Sequence, residues 1–309
     1  MILCVTLNPC VDKAVYLPRL RMGEIQSASR VTITVGGKAN NVARVLAAFG
    51  RPAVAMNFFG GETGRLCHRL LEEEDHVTAE TIWTKAPTRE IITIYEEERN
   101  RHTDIKEPGA TITDEEREEF RRRYEALLSG AEFVSFGGSA PCASLDALPA
   151  ELAAAASAAG VPFILDTYGK ALQLGLKSRP FMVKPNRAEA EALFGRKLSS
   201  DADALEAVDE LAKSAELAVL TFGEEGFIAV YEGRRYRVHS PKVRTVDAVG
   251  SGDALVAIVI MGIMDGKPFE ETLAVAAAAG AANAAQVAAC KIRPEDVAPL
   301  VGQAKVVRL

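Results

Sequence analysis

Tryptophan occurs once, histidine four times and cysteine five times in 309 residues, and each scarcity excludes something. The scattered, odd-numbered cysteines (Cys4, Cys10, Cys67, Cys142 and Cys290) include no CxxC pair and no His/Cys cluster. They build neither a disulfide framework nor a structural zinc site, so buried reduced thiols are expected. Positive charge is also in deficit: 36 Lys and Arg face 42 Asp and Glu, a formal charge of −6. Without a basic stripe, nucleic acid and anionic membranes are poor partners. No stretch approaches the ~18 uncharged apolar residues that a membrane helix needs. The nearest, "LAVAAAAGAANAAQVAA", carries Gly280, Asn283 and Gln286 and reads as a buried helix of a globular core. The first residues, "MILCVTLNPCVDK", form a short apolar strand rather than a basic region leading into a long hydrophobic one. A cytoplasmic protein is the expectation.

What the chain has is 48 % hydrophobic and 25 % charged residues, ordinary for a protein whose core needs no staples. Strand and helix patterns alternate. "MILCVTL" and "AVAMNFFG" read as buried strands flanking the helix "NVARVLAAFG", which stops at Gly50. Further strands are expected at "EFVSFGG", "PFILDTY", "FMVKPN" and "LAVLTFG". The charged run "TDEEREEFRRRYEALL" is a solvated helix opened by a Thr113/Glu116 capping box, with Glu118–Arg122 and Glu119–Arg123 as i,i+4 pairs. Such alternation predicts a mostly parallel sheet covered on both faces, within one α/β unit spanning 1–309. Two regions depart from it. "GFIAVYEGRRYRVHSP" reads as a hairpin turning at Glu232-Gly233, while 89–105 has period-2 character and, with "AVYLPRL" and "SASRVTITVGG" from about 11–35, predicts a small separate sheet, a lid or an oligomerisation surface.

One stretch raises a question of chemistry: "DAVGSGDALV", 247–256. It lacks the third glycine of a dinucleotide fingerprint, because Leu255 stands there, and lies late in the chain. The early "GGKAN" is no Walker A loop either, since Ala39 replaces the Ser/Thr that would hold magnesium. What remains is a glycine-serine-glycine turn opening a helix, where unpaired backbone amides and the helix dipole favour an anion. Asp253 is then either a base at the mouth of that cradle or an ordinary helix cap; the stretch alone leaves both open.

Three other stretches bear on the choice. "TVGGKANNVARVL" sets a Gly-Gly turn and Lys38 at the start of a helix. "KPNRAEAEALFG" places Asn186 and Glu189 three apart across a strand end, and "TFGEEG" is a glycine turn after a strand. In open α/β sheets ligands collect at the carboxyl ends of strands. Together with "NPxxD" at 8–12, this series resembles the PfkB (ribokinase-like) sugar kinase family over essentially the whole chain. The resemblance implies a three-layer α/β/α sandwich with a small β-sheet lid, and transfer of phosphate from ATP to a sugar hydroxyl. It implies Asp253 as catalytic base and the amides of Gly250, Ser251 and Gly252 as the anion hole. Lys184, Asn186 and Glu189 would handle the ATP phosphates, with Asn186 and Glu189 orienting Mg²⁺ through water. Thr221, Gly223 and Gly226 would line the nucleotide cleft, with Asn283 near the adenine. Asp12, Gly37 and Asn41 would hold sugar hydroxyls. Lid strands in this family often pair between two subunits, which implies a homodimer.

"TLNPCVDKAVYLP" and "APTRE" resemble the hexose-phosphate branch, 1-phosphofructokinase and tagatose-6-phosphate kinase. A substrate phosphate far from the reacting hydroxyl calls for fixed cations; Lys38 and Arg89 answer by position, with Ser139 as neutral donor and Arg101 and Lys106 as weaker candidates. The chain departs from the family pattern at Ala39, Asn40, Glu90 and Lys106. If position 39 needed a left-handed backbone, alanine would cost ~1 kcal/mol. The alternatives are a kinase for an unphosphorylated sugar or nucleoside, and a catalytically silent sugar-binding regulator.

Overall fold

Strand β1 (Ile2–Thr6) is buried at every position, as a central strand with helices against both faces must be. The computed structural model describes residues 1–99 and 101–309, so residue 100, inside the 89–105 region, lies outside the described residues. The remaining strands are β2 (Cys10–Leu17), β3 (Arg30–Gly36), β4 (Ala53–Gly60), β5 (Thr78–Thr84), β6 (Arg89–Glu96), β7 (Arg101–Lys106), β8 (Phe133–Gly137), β9 (Phe163–Asp166), β10 (Met182–Val183), β11 (Leu217–Thr221), β12 (Phe227–Tyr231), β13 (Arg234–His239) and β14 (Lys305–Arg308). The helices are α1 (Lys38–Ala48), α2 (Gly61–Arg69), α3 (Asp114–Leu128), α4 (Leu148–Ala158), α5 (Gly169–Gly175), α6 (Arg187–Phe194), α7 (Asp201–Ala212), α8 (Ser251–Met264), α9 (Phe269–Ala284) and α10 (Pro294–Val301).

The large sheet runs β14-β13-β12-β11-β10-β9-β8-β1-β4-β5. It is parallel from β5 to β11 and antiparallel from β11 to β14. Ile2 and Cys4 face one core cluster with Val42 and Leu46 of α1, Val256 of α8 and Ala278 of α9. Leu3 and Val5 face the other, with Phe120 and Tyr124 of α3 and Leu152 of α4. This is the three-layer α/β/α arrangement. Burying a side chain such as Phe120 completely contributes about 1.5–3 kcal/mol.

Local chemistry explains most element ends. Thr113 and Glu116 cap α3 reciprocally. Glu119–Arg123 forms, but Glu118 does not meet Arg122: Arg121 takes Glu118 and Glu125, leaving Arg122 to Glu119. The β12–β13 hairpin turns at Glu232 and Gly233, whose φ of 50° and 72° are those of a two-residue primed turn. The alanine-rich helix stops at Ala284, before the end of its apolar run. Strands β5 and β14 were not expected from the sequence, and β10 has only two residues.

The small sheet has the order β3-β2-β6-β7, with β2 antiparallel to β3 and parallel to β6, and β6 antiparallel to β7. Asp12, Thr34 and Tyr95 on one face line a narrow cavity closed from the other side by Asp247, Val249 and Ala289. The register aligns Ile33, Lys13, Ile92 and Ile105 on the opposite face. Among the described residues no helix is long and apolar enough to cross a membrane.

Candidate active site

Asp253 is the third residue of α8 and only 5 % exposed. The cap is Gly250, with φ 86° and no side-chain cap bond, so the helix-cap reading of Asp253 does not hold. Its carboxylate instead accepts 2.7 Å from Asn41 Nδ2, on α1. Burial, then the Asp166 carboxylate, pushes the Asp253 carboxyl up to about 6. The loop above it is tightly built: a Cβ on Gly250 would stand 2.9 Å from Cys290 Sγ, and one on Gly252 2.9 Å from Lys184 Nζ. Of the three cradle amides, that of Ser251 donates to Ala248 O at 3.2 Å. Among the described residues those of Gly250 and Gly252 have no acceptor, so the free donors flank Ser251.

Four chain segments bring charge to this loop. Lys38 Nζ, at the start of α1, lies 2.7 Å from Asp166 Oδ1 at the end of β9 and 3.1 Å from Glu189 Oε1 in α6. Lys184 Nζ, just past β10, lies 2.9 Å from Asp166 Oδ2. Burial raises the Asp166 carboxyl, but Lys184 and Lys38 outweigh it and keep it ionised. Burial lowers the Lys38 ammonium, yet Asp166, Glu189 and Asp253 hold it well above the usual lysine range. The result is two fixed ammonium groups beside a glycine loop, geometry suited to a polyanion. Lys38, expected near the substrate phosphate, here pairs with Asp166 and Glu189.

Asn186 and Glu189 form a capping box for α6: Asn186 Oδ1 accepts from Glu189 N and Glu189 Oε2 from Asn186 N, both at 2.9 Å. Asn186 also bridges to Thr221, which brings the "KPN" and "TFGEEG" turns to one edge. There Gly223 and Gly226 adopt φ of 63° and 95°. Asn283 sits deeper than expected, 1 % exposed. Its amide donates to Val249 O and Ser251 Oγ at 2.8 and 3.0 Å, and its oxygen accepts from Cys290 N. With both amide hydrogens engaged, it staples the Gly250 loop.

On the other side of Asp253, Asp12 projects from β2 toward Asp247; burial and that second carboxylate push it up to about 6. Gly37 has φ 124°, and a Cβ there would meet Thr6 Cγ2 at 2.5 Å. The left-handed turn is thus at 37, and Ala39 lies inside α1, where alanine costs nothing. Asn40 is fully buried and donates to Gly36 O at 3.1 Å. Asn41 gives its amide to Asp253 and its oxygen to Arg44, so its polar groups serve the carboxylate before any sugar hydroxyl. Arg89 begins β6 and donates 3.1 Å to Asn8 O, while Asn8 Nδ2 holds Ser139 Oγ at 3.1 Å. Arg89 Nε is buried without a partner, and among the described residues no carboxylate pairs with its guanidinium. Arg101, by contrast, is taken by Glu96, and Lys106 lies 3.7 Å from Asp104.

The sequence profile of the pfkB family carbohydrate kinases matches residues 5–296. The chain belongs to the pfkB family. The kinase is also similar to solved structures of related proteins. With Escherichia coli phosphofructokinase-2 in complex with substrates and products it shares 27 % identity over 97 % of this chain and 98 % of that one, at a TM-score of 0.90. A possible 1-phosphofructokinase of Thermotoga maritima matches at 24 % identity over 100 % and 99 %, TM-score 0.92. Arabidopsis thaliana ribokinase complexed with ribose and ATP matches at 22 %, over 97 % and 98 %, TM-score 0.77. The latter two are likenesses of fold. The kinase is thus a phosphotransferase with an alcohol acceptor on a ribokinase-like α/β fold.

Sequence reading missed four residues of this kinase's site. Asp166 ends a parallel strand, a position that strand-end logic flags. Asn8 and Asp247 stood as fixed positions of quoted motifs without an assigned role. Arg44, on α1 with Lys38, Asn40 and Asn41, was given no role.

Proposed function

We propose that this kinase transfers the γ-phosphoryl group of ATP to a hydroxyl of a ketohexose phosphate, as a 1-phosphofructokinase or tagatose-6-phosphate kinase does, giving a sugar bisphosphate and ADP. The observation that carries this reading is Arg89: a guanidinium with a buried, unpartnered Nε and, among the described residues, no carboxylate paired with it suits a phosphate. Asn8 links it to Ser139, a neutral second donor. Escherichia coli phosphofructokinase-2, the relative solved with fructose-6-phosphate, supports a phosphosugar over a neutral sugar or nucleoside.

In this reading Asp253 takes the proton of the attacking hydroxyl at its free oxygen while Asn41 holds the other. The Gly250 and Gly252 amides, with Lys184 and Lys38, stabilise charge on the moving phosphoryl group. Asp12 and the Gly37 turn contact the sugar; Thr221, Gly223 and Gly226 line the nucleotide cleft. Asn186 and Glu189 suit Mg²⁺ held through water, since Mg²⁺ keeps several waters and takes few carboxylates, and among the described residues no group of three or more acidic, His or Cys side chains forms a direct cage. Bound there, Mg²⁺ neutralises charge on the ATP phosphates. The small sheet acts as a lid that excludes water, which would otherwise divert ATP to hydrolysis. Use of ATP and a phosphosugar supports a cytoplasmic location. Phosphorus NMR of wild-type reaction mixtures tests the reaction: a second phosphomonoester signal on the sugar should rise with ADP, whereas free phosphate rising instead would make the protein an ATPase.

The outer lid face carries Val31, Ile33 and Ile105, which are 46, 42 and 54 % exposed, and we propose that it pairs with a second copy. Escherichia coli phosphofructokinase-2 has been solved as a tetramer. Ile33→Asp combined with Ile105→Asp should shift the protein from dimer to monomer in sedimentation velocity. An unchanged dimer would move the interface elsewhere.

A further inference from the structure

Arg44 is 2 % exposed, a charge carried into the core of α1, and no role assigned above uses it. Four of its five N–H groups donate, and each of its three nitrogens takes part. Nε donates 2.8 Å to Asp75 Oδ2, Nη1 donates 2.7 Å to Asn41 Oδ1 and 3.1 Å to Ala289 O, and Nη2 donates 2.8 Å to Val35 O. Asp75, itself buried, also pairs with Lys291. Asn41 sits one helical turn before Arg44, and its Nδ2 reaches Asp253 Oδ2 at 2.7 Å. A continuous chain thus runs from the partly exposed Lys291 through the buried Asp75, Arg44 and Asn41 to Asp253.

An asparagine amide can sit in two orientations that exchange donor for acceptor. Only one of them donates to a carboxylate; the other presses an oxygen against it. Nothing about Asn41 alone selects between the two. A fixed cation donating to its oxygen does. From this geometry we infer that Arg44 is a positioning residue for phosphoryl transfer: it locks the Asn41 amide so that one oxygen of Asp253 is held and the other is left to accept the hydroxyl proton. Asp75 and Lys291 in turn fix Arg44, and Ala289 O ties the arrangement to the segment whose next residue, Cys290, donates through Sγ to Gly250 O at 3.2 Å. The inference rests on the reading of Asp253 as the base.

The test is a double-mutant cycle between Arg44 and Asn41, read on the full-length kinase by ADP release with ATP and its phosphosugar. Arg44→Lys keeps a cation opposite Asp75 but cannot donate to Asn41, Val35 and Ala289 at once. It should lower kcat roughly 10- to 100-fold, the cost of misplacing a reacting group, with both KM values unchanged. In an Asn41→Ala background the same substitution should leave kcat unchanged, because the amide through which Arg44 acts is gone. Arg44→Met with Asp75→Leu removes both buried charges and leaves no core charge unpaired; it should repeat the pattern where Arg44→Lys proves unstable. An equal kcat loss in both backgrounds, a loss carried by KM, or no loss would each overturn the inference. Asp253→Asn run alongside separates the two ideas. If that variant turns over, the base reading fails; if it is dead while the cycle is additive, only the role of Arg44 fails.

Discussion

Asp253→Asn should lower kcat by roughly 10³-fold or more, ~4 kcal/mol of transition-state stabilisation, while ATP still binds in an equilibrium titration. Asparagine matches aspartate in shape but cannot accept the hydroxyl proton. The variant should fold at least as well as the parent. Burial and Asp166 raise the folded carboxyl to about 6 from an ordinary 3.8. A raised folded value means that this group contributes stability present below the unfolded value and lost as pH rises through about 6. At pH 7 the ionised form therefore weakens the fold, and an uncharged amide removes that penalty, so Tm at pH 7 should hold or rise. A large drop in Tm would instead reassign the lost turnover to misfolding. In the parent, a base must be ionised to work, so kcat/KM should fall on the acid side of about pH 6. Asp12, also near 6, titrates in the same limb, and Asp12→Asn alone should not remove it.

The second large effect belongs to Arg89. Arg89→Ala should raise KM for the phosphosugar roughly 100-fold, ~3 kcal/mol, the scale of a lost charge-assisted contact to a phosphate. KM for ATP should not move, because Arg89 stands beside Asn8 and the lid and not at the "KPN" and "TFGEEG" edge. Arg89→Lys should recover part of the loss, as a point charge lacks the planar fork. An unchanged phosphosugar KM in Arg89→Ala would point to a neutral substrate.

Legibility followed locality. The Thr113/Glu116 box joins residues three apart and could be read straight from spacing; Asn186 and Glu189 stand at the same spacing and form the same kind of box. The parallel sheet announced itself through apolar runs, and the small sheet through period-2 segments. Glu118–Arg122 failed for an equally local reason: Arg121 is a competing partner that pair counting ignored. What could not be read was which local features meet. Asn41 and Asp253 are 212 positions apart, and Lys38 and Asp166 128; only the sheet order brings them together. The partners of a residue depend on such meetings, as with Lys38 pairing with Asp166 and Asn283 stapling the Gly250 loop. Asn40 shows the same limit, since its direction from α1 depends on Gly36 and Thr6 on neighbouring strands.

Steady-state ADP release from wild-type protein, compared between fructose and its 1- and 6-phosphates together with tagatose 6-phosphate, addresses the central claim most directly. The account predicts that one phosphosugar exceeds fructose in kcat/KM by roughly 10²-fold or more, the share carried by Arg89 and its neighbours. Comparable rates for fructose, or binding of a phosphosugar with no ADP released, would contradict it.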